Sequence, residues 1–402
     1  FCLAVEEEIM LSTEILWLKL KKKEIMQKIG EISKLKNNMI QANVSRDVQQ
    51  YNRWLRDNGL LDFDDLILES VSLLKKDHMI LQEVRNVYKF VFVDEYQDIN
   101  HIQHEFLKLI IGEQGSLTAI GDPNQAIYGF RGGDVGFFDS FKKDFLSGDV
   151  LSLEDNYRSA QNLLTAATQI ISKNKSSFFT PLTANIYSQG RLVIHQTATE
   201  KGEAEYVVHQ IEKIVGGTSM FSQDSGRVDS EDGAVHGFGE IAVLFRLNSQ
   251  CVELKKAFDR SGIPYQITQK KNKENEEDVC PTRYEDVYLN SEKVSLMTLH
   301  AAKGLEFPVI FIIGCEERIL PLNLPGLEAD LQEERRLFYV GMTRAKHRLY
   351  LVCAKKRRMF GQAYQNSISR FVEDIEKDLR EYEKIQIKEK KKKKEEDQFK
   401  LF

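Results

Sequence analysis

From residue 89 onward the chain alternates short apolar runs with longer stretches whose apolar residues recur every three or four positions. Lys89–Val93, Ser116–Ile120, Val150–Leu153, Leu192–Ile194, Ile241–Phe245, Tyr265–Thr268, Val294–His300, Val309–Ile313 and Arg348–Val352 are rich in β-branched and aromatic residues and predict strands. Between them, Ile102–Ile110, a stretch ending at Ile171, Gly202–Val215, Cys251–Ser261 and Glu333–Ala345 predict helices. Strand–helix alternation predicts a mostly parallel α/β sheet, with Lys89–Val93 as a buried central strand. Residues 1–58 differ, being rich in Glu, Lys, Leu and Ile and free of Pro. Ile25, Ile29, Ile32, Leu35 and Met39 form a helical stripe there, and Asn58-Gly59 is a stop. Asp62 is a credible N-cap for a helix opening on Phe63-Asp64-Asp65, whose acids suit the helix dipole. Capping does not explain Phe63 at an exposed first turn. Gly216–Gly239 and Gln269–Lys293 are polar and read as a flexible loop and a charged surface connection.

Composition changes this picture little. At 402 residues and 42% hydrophobic content there is room for two or three domains with real cores. No apolar run of about 18 residues occurs, so no membrane span is expected. The five cysteines are scattered and form no Cys-x-x-Cys pair, so neither a zinc site nor a disulfide framework is indicated, and a cytoplasmic setting fits. The net charge of −5 does not advertise nucleic-acid binding, although local patches, not totals, do that work. Because the chain opens on Phe1, a fragment of something longer is expected.

Candidate chemistry gathers just beyond the predicted strands, where ligands sit in open parallel sheets. Lys89–Val93 runs into Asp94-Glu95. Asp94 could hold a divalent cation and Glu95 could orient and deprotonate a water; the alternative is a strand ending in a solvated acidic turn. After Ser116–Ile120 comes a loop with Gln125, then Tyr128, Phe130 and Arg131 among four glycines. Aromatics beside an Arg make a stacking platform for bases, unless the two rings are simply core. After Val150–Leu153, Arg158 can reach a phosphate and Tyr157 can stack on a nucleobase. Arg336 and Arg344 lie on the helix before the last strand, with Arg344 aimed off its axis by a Gly-Met break.

Six of these runs, in order, resemble UvrD/Rep-type superfamily 1 DNA helicases: Leu61–Leu66, Val93–Asp98, Ala119–Asp134, Leu153–Ser159, Val294–Phe311 and Glu333–Leu351. The resemblance implies two RecA-like parallel-sheet domains of P-loop NTPase type, the first incomplete, with a small helical subdomain. It divides the chain into a helical remnant (1–60), a partial first RecA-like domain (61–150), a second (151–375) and a charged tail (376–402). It implies ATP with Mg²⁺ between the domains. Asp94 would coordinate the metal, Glu95 would be the catalytic base, and Gln125 would sense the γ-phosphate. Arg158 and Arg344 would be arginine fingers. Tyr157 would stack on adenine, and Glu306 would meet the ribose. Phe63, Tyr128, Phe130 and Phe360 would stack on the bases of single-stranded DNA, with Arg131, Thr298 and His300 along the strand path. The family moves 3′ to 5′ and unwinds at junctions of single- and double-stranded DNA.

The chain departs from the family in three places. It holds no Gly-x-x-x-x-Gly-Lys-Ser/Thr loop, so the expectation is a truncated first domain and poor ATP hydrolysis by this chain alone. Gln269–Lys293 replaces a large helical subdomain, and Phe130 stands where the family has Trp. A rival reading is a non-hydrolysing nucleic-acid-binding module on a helicase scaffold. The last five residues, Gln398–Phe402, resemble the peptide by which bacterial polymerase sliding clamps are bound, at the end of a lysine-rich tether.

Overall fold

The structure, a computed structural model, describes residues 2–3, 9, 16–17, 20–38, 46–112, 115–129, 132–145, 148–174, 182–185, 189–216, 236–267, 292–359 and 361–382. The N-terminal stretch forms α1 (Lys22–Asn37) and α2 (Arg46–Asp57), which close on each other through Ile25, Ile32, Val48, Tyr51 and Leu55. β1 (Cys2–Leu3) and β2 (Leu60–Leu61) pair in parallel beside them. Asp62 caps α3 (Phe63–Lys76) by accepting from the Asp65 N–H, as the sequence predicts, and α4 (His78–Val87) follows.

β3 (Phe90–Val93) and β4 (Ser116–Ala119), joined through α5 (His101–Ile111), form a parallel pair with Phe90 opposite Ser116. One face of the pair, Val91, Val93, Leu117 and Ala119, packs on α3–α5 and on α6 (Gly136–Asp144). The other face is bare: Phe90 and Phe92 are each 73% exposed. The expected buried central strand is thus half-covered, because no layer lies on its second face among the described residues. Val150–Leu153 forms no strand either, and Leu151 and Leu153 are exposed. Apolar strand propensity does not make a strand without a neighbour to complete its ladder.

The second half is complete on both faces. β5 (Asp155–Asn156) pairs with β6 (Thr183–Ala184), flanking α7 (Gln161–Ile171). Then come β7 (Arg191–Thr199), α8 (Glu200–Val215), β8 (Ile241–Phe245), α9 (Cys251–Ser261), β9 (Tyr265–Ile267), β10 (Val294–Thr298) and β11 (Phe307–Ile313). A small ribbon of β12 (Asn323–Leu324) and β13 (Leu327–Glu328) precedes α10 (Leu331–Met342), β14 (Ala345–Met359), β15 (Gln362–Gln365) and β16 (Glu381–Tyr382). Eight strands form one sheet in the order β16-β7-β14-β11-β8-β10-β9, parallel throughout except for β15, which returns antiparallel on β14. Ile241, Val243 and Phe245 face α8 and α9, whereas Ala242 and Leu244 face α7 and α10. This two-sided burial is why the strands read as continuous apolar runs. Among the described residues no helix is long and apolar enough to cross a membrane. The loop expected at 216–239 and the connection at 269–293 lie almost wholly outside the described residues.

The long β14 is pinned to α8 by a buried ion triad. Arg357 Nη2 bonds Glu203 Oε2 at 2.6 Å, and its Nε bonds Glu316 Oε1 at 2.5 Å. The remaining carboxylate oxygens accept from the Gly314 and Ala354 N–H groups. One guanidinium serves two carboxylates, and burial pushes the Glu203 carboxyl up to about 7. Arg357→Met strands both carboxylates in the interior, so a loss of about 3–5 kcal/mol is expected in urea unfolding. A loss below about 1 kcal/mol would show that the carboxylates find other partners.

Candidate functional site

β3 ends in Asp94-Glu95, and the backbone bends sharply there. Glu95 has φ 52° and ψ 43°, in the left-handed region, a conformation costing about 1–3 kcal/mol for a non-glycine residue. Surrounding contacts hold it. The Glu95 N–H donates to Asp94 Oδ1 at 2.9 Å, the Glu95 carboxylate accepts from Gln97 Nε2, and Lys303 Nζ lies 3.0 Å from Glu95 Oε2. Buried Gln97 also accepts from the Asp122 N–H at 3.0 Å, tying the turn after β3 to the loop after β4. In that loop Gln125 Nε2 donates to Asp122 Oδ2 at 2.9 Å.

The same loop docks into the second half. Ile127 is fully buried in the core that contains Leu337 and Phe338 of α10. Arg336 Nε donates to the Ala126 carbonyl at 2.7 Å. Arg344, just past the end of α10, donates from Nη2 to Gln125 Oε1 at 3.1 Å and from Nε to the Val340 carbonyl at 3.0 Å. Arg344 is 2% exposed, because the docked loop covers that end of α10. Burial, together with nearby Arg158, lowers the Arg344 pKa to about 10. At that value it stays a cation at neutral pH.

Arg158 lies beyond β5 in a turn, not at the end of a main-sheet strand as the sequence suggests. Its Nε donates to Glu306 Oε2 at 2.6 Å, and Lys346 Nζ lies 2.7 Å from Glu306 Oε1. Lys346 and Arg158 hold the Glu306 carboxyl below its ordinary range. Tyr157 stands 64% exposed next to this pair.

Of the residues expected along a nucleic-acid strand, Phe63 is the first residue of α3 and 51% exposed. Tyr128 is half-buried, not fully displayed; its ring lies 6.5 Å from that of His300 and 5.3 Å from the Lys303 ammonium. Thr298 ends β10 and accepts from the Ala301 N–H at 3.2 Å. Phe130, Arg131, Phe360 and Gln398–Phe402 lie outside the described residues.

The structure brings Glu95, Gln125 and Arg344 to one focus and Arg158 with Glu306 to another. Sequence reasoning passed over the residue that joins the halves, Lys303. Its ammonium reaches Glu95, Asp98 and the Gln125 carbonyl, the last at 3.1 Å. Burial pushes the Asp98 carboxyl up and Lys303 pulls it back. The available signal was a lysine in a glycine-flanked turn right after a strand. Gln97 and Asp122 were likewise present in the quoted runs without a role.

For a cation, Asp94 offers a carboxylate at the strand end, and no group of three or more His, Cys, Asp or Glu poised for a metal occurs among the described residues. A hard divalent cation would take such a carboxylate together with phosphate oxygens and waters.

Two parallel α/β units, with acids at a strand end of one and a buried and a part-exposed arginine from the other, fit a RecA-like core. The comparisons narrow the class. The UvrD/REP helicase N-terminal domain family matches residues 4–146, and the UvrD-like helicase C-terminal domain family matches 151–273 and 281–356. The chain belongs to the UvrD/Rep-type family of DNA helicases. The ATP-dependent DNA helicase PcrA of Staphylococcus epidermidis RP62A is 26% identical, over 87% of this chain and 68% of that protein. PcrA of Staphylococcus aureus Mu50 is 25% identical, over 90% and 70%. The C-terminal domain of a possible DNA helicase from Lactobacillus plantarum overlaps at 18% identity and TM-score 0.32, over 56% of this chain and 98% of that one, too low for a structural argument.

Proposed function

We propose that this chain is the core of an ATP-driven motor that moves 3′ to 5′ on single-stranded DNA and unwinds at single–double-strand junctions, in repair or replication. The observation that carries the reading is the contact set across the two halves. Lys303 meets Glu95, and Arg344 meets Gln125, while Tyr128 and His300 lie beside Lys303. Groups suited to a γ-phosphate and groups suited to DNA bases therefore share one loop, so movement at either is felt at the other. In this reading Asp94 would hold Mg²⁺, which would supply positive charge against the phosphates. Glu95 takes the proton of the attacking water, and Arg158 and Arg344 stabilise transition-state charge. Phe63, Tyr128, Phe130 and Phe360 stack on bases, and Arg131, Thr298 and His300 line the path. The units divide near residues 60, 150 and 375.

A second reading, binding without hydrolysis, draws on the bare face of β3–β4 and the lack of a Gly-Lys phosphate loop in the 402 residues. DNA-stimulated ATPase assays on this chain, and on a longer form that carries such a loop, separate the two. Turnover by the longer form alone supports the motor and a phosphate loop supplied from outside these residues. Binding of single-stranded DNA without turnover by either form supports the second reading. Adenine stacking has its own check: Tyr157→Ala should weaken binding of a fluorescent ATP analogue about tenfold, since one base–aromatic stack contributes about 1–3 kcal/mol. An unchanged affinity removes Tyr157 from the site. The Gln398–Phe402 peptide is proposed to bind a sliding clamp; deleting it without loss of clamp in a pull-down rejects that role.

A further inference from the structure

The last turn of α1 carries a buried polar node that neither the nucleotide nor the strand residues use. Lys36 is 1% exposed, and its Nζ lies 2.7 Å from both Asp62 Oδ2 and Asp65 Oδ1. Its ammonium also lies 5.0 Å from the Tyr51 ring centroid. Asp62 and Asp65 are the two halves of the capping box that starts α3, and Phe63 sits between them. Asn37 completes the node. Its Nδ2 donates to Asp64 Oδ1 at 3.0 Å and to Ser33 Oγ at 3.2 Å, and its Oδ1 accepts from Asn100 Nδ2 at 2.9 Å. Asn100 is the N-cap of α5, two residues past Asp98, which Lys303 holds. The Asp134 N–H donates to the Ile99 carbonyl at 3.1 Å, so the end of the Tyr128 loop is anchored at the same place.

Each contact alone is an ordinary cap or ion pair. Together they make Asn37 a buried polar link between the turn that presents Phe63 and the segment that follows Glu95, beside the direct packing of α3 on α5. We propose that Asn37, seated by Lys36, is a positioning residue: it fixes Phe63 against the Glu95–Asn100 segment so that a base on Phe63 and the catalytic turn move as one body. This rests on the reading of Phe63 as a strand contact. A buried amide bonded to two segments suits that task, because a shift of either segment breaks its own bond to Asn37 and leaves buried polar groups unpaired.

The test is a double-mutant cycle on this chain, read as the affinity for a fluorescent oligo-dT by anisotropy, with a thermal melt for each variant. Phe63→Ala should weaken binding about 5- to 150-fold, the range for loss of one base–aromatic stack. Asn37→Ala should weaken it about 3- to 10-fold when Phe63 is present and by less than about twofold in the F63A background, because it acts through Phe63. Asn100→Ser keeps a cap oxygen for α5 while removing the amide that reaches Asn37; it should reproduce the Asn37→Ala pattern and serves if Asn37→Ala does not fold. Equal losses in both backgrounds, or no loss at all, overturn the proposal while leaving Phe63 as a strand contact. If Phe63→Ala itself changes nothing, the underlying reading of Phe63 falls and the proposal falls with it.

Discussion

Glu95→Gln should lower DNA-stimulated ATP turnover about a thousandfold in a form of the chain that carries a phosphate loop, within the usual range for loss of a general base. The geometry favours a clean result. Gln has the same shape, can still accept from Gln97 Nε2, and sits at a half-exposed position, so the fold should tolerate it. Lys303 loses one ion pair but keeps Asp98 and the Gln125 carbonyl as partners, so its ammonium is not left unpaired. The binding of a non-hydrolysable ATP analogue should change by less than about threefold, because a base acts on the water in the transition state and not on bound substrate. The left-handed backbone at Glu95 strengthens the expectation, since non-glycine residues held in that region cluster at active sites. Turnover within about tenfold of the parent would assign the acid a structural role and move the base elsewhere.

Arg344→Ala should have an effect of the same order, about a thousandfold or more on turnover, as expected for an arginine that stabilises phosphoryl transfer. Arg344→Lys should recover little. An ammonium cannot bond the Val340 carbonyl and Gln125 Oε1 together from a planar fork while also facing a phosphate. Burial makes the variant a risk to folding, so the discriminating measurement is the ratio of ATP to ADP affinity. A γ-phosphate contact predicts that the ratio collapses toward one. A clamp between α10 and the Gln125 loop predicts an unchanged ratio with a lower melting temperature, and that outcome would sink the finger assignment.

Much of the second half was legible along the chain. β8 and α9 occupy the predicted residues, because a parallel strand buried on both faces is an uninterrupted apolar run and a helix beside it is a stripe. The cap at Asp62 was legible for the same local reason. The first half was less so. Phe90 and Phe92 have every local property of a central strand, yet they lie on an open face, since burial depends on what else packs there. Val150–Leu153 failed in the same way. Lys303 and Asp98 are 205 positions apart, and Arg344 and Gln125 are 219 apart; no local pattern carries such pairs.

The sequence by itself determined most of the elements, the Asp62 cap and the ordered set of acids, amides, arginines and aromatics that places this chain in its helicase family. Periodicity, propensity and motif are written within a few turns of chain, so they can be read there. Only the tertiary structure decided which charges meet across the two halves, that Arg344 is buried, that Lys303 holds the turn after β3, and that Lys36 and Asn37 bond the capping turn around Phe63. Those outcomes depend on the relative placement of segments far apart in the chain, and that placement comes from the packing of two cores around one shared loop.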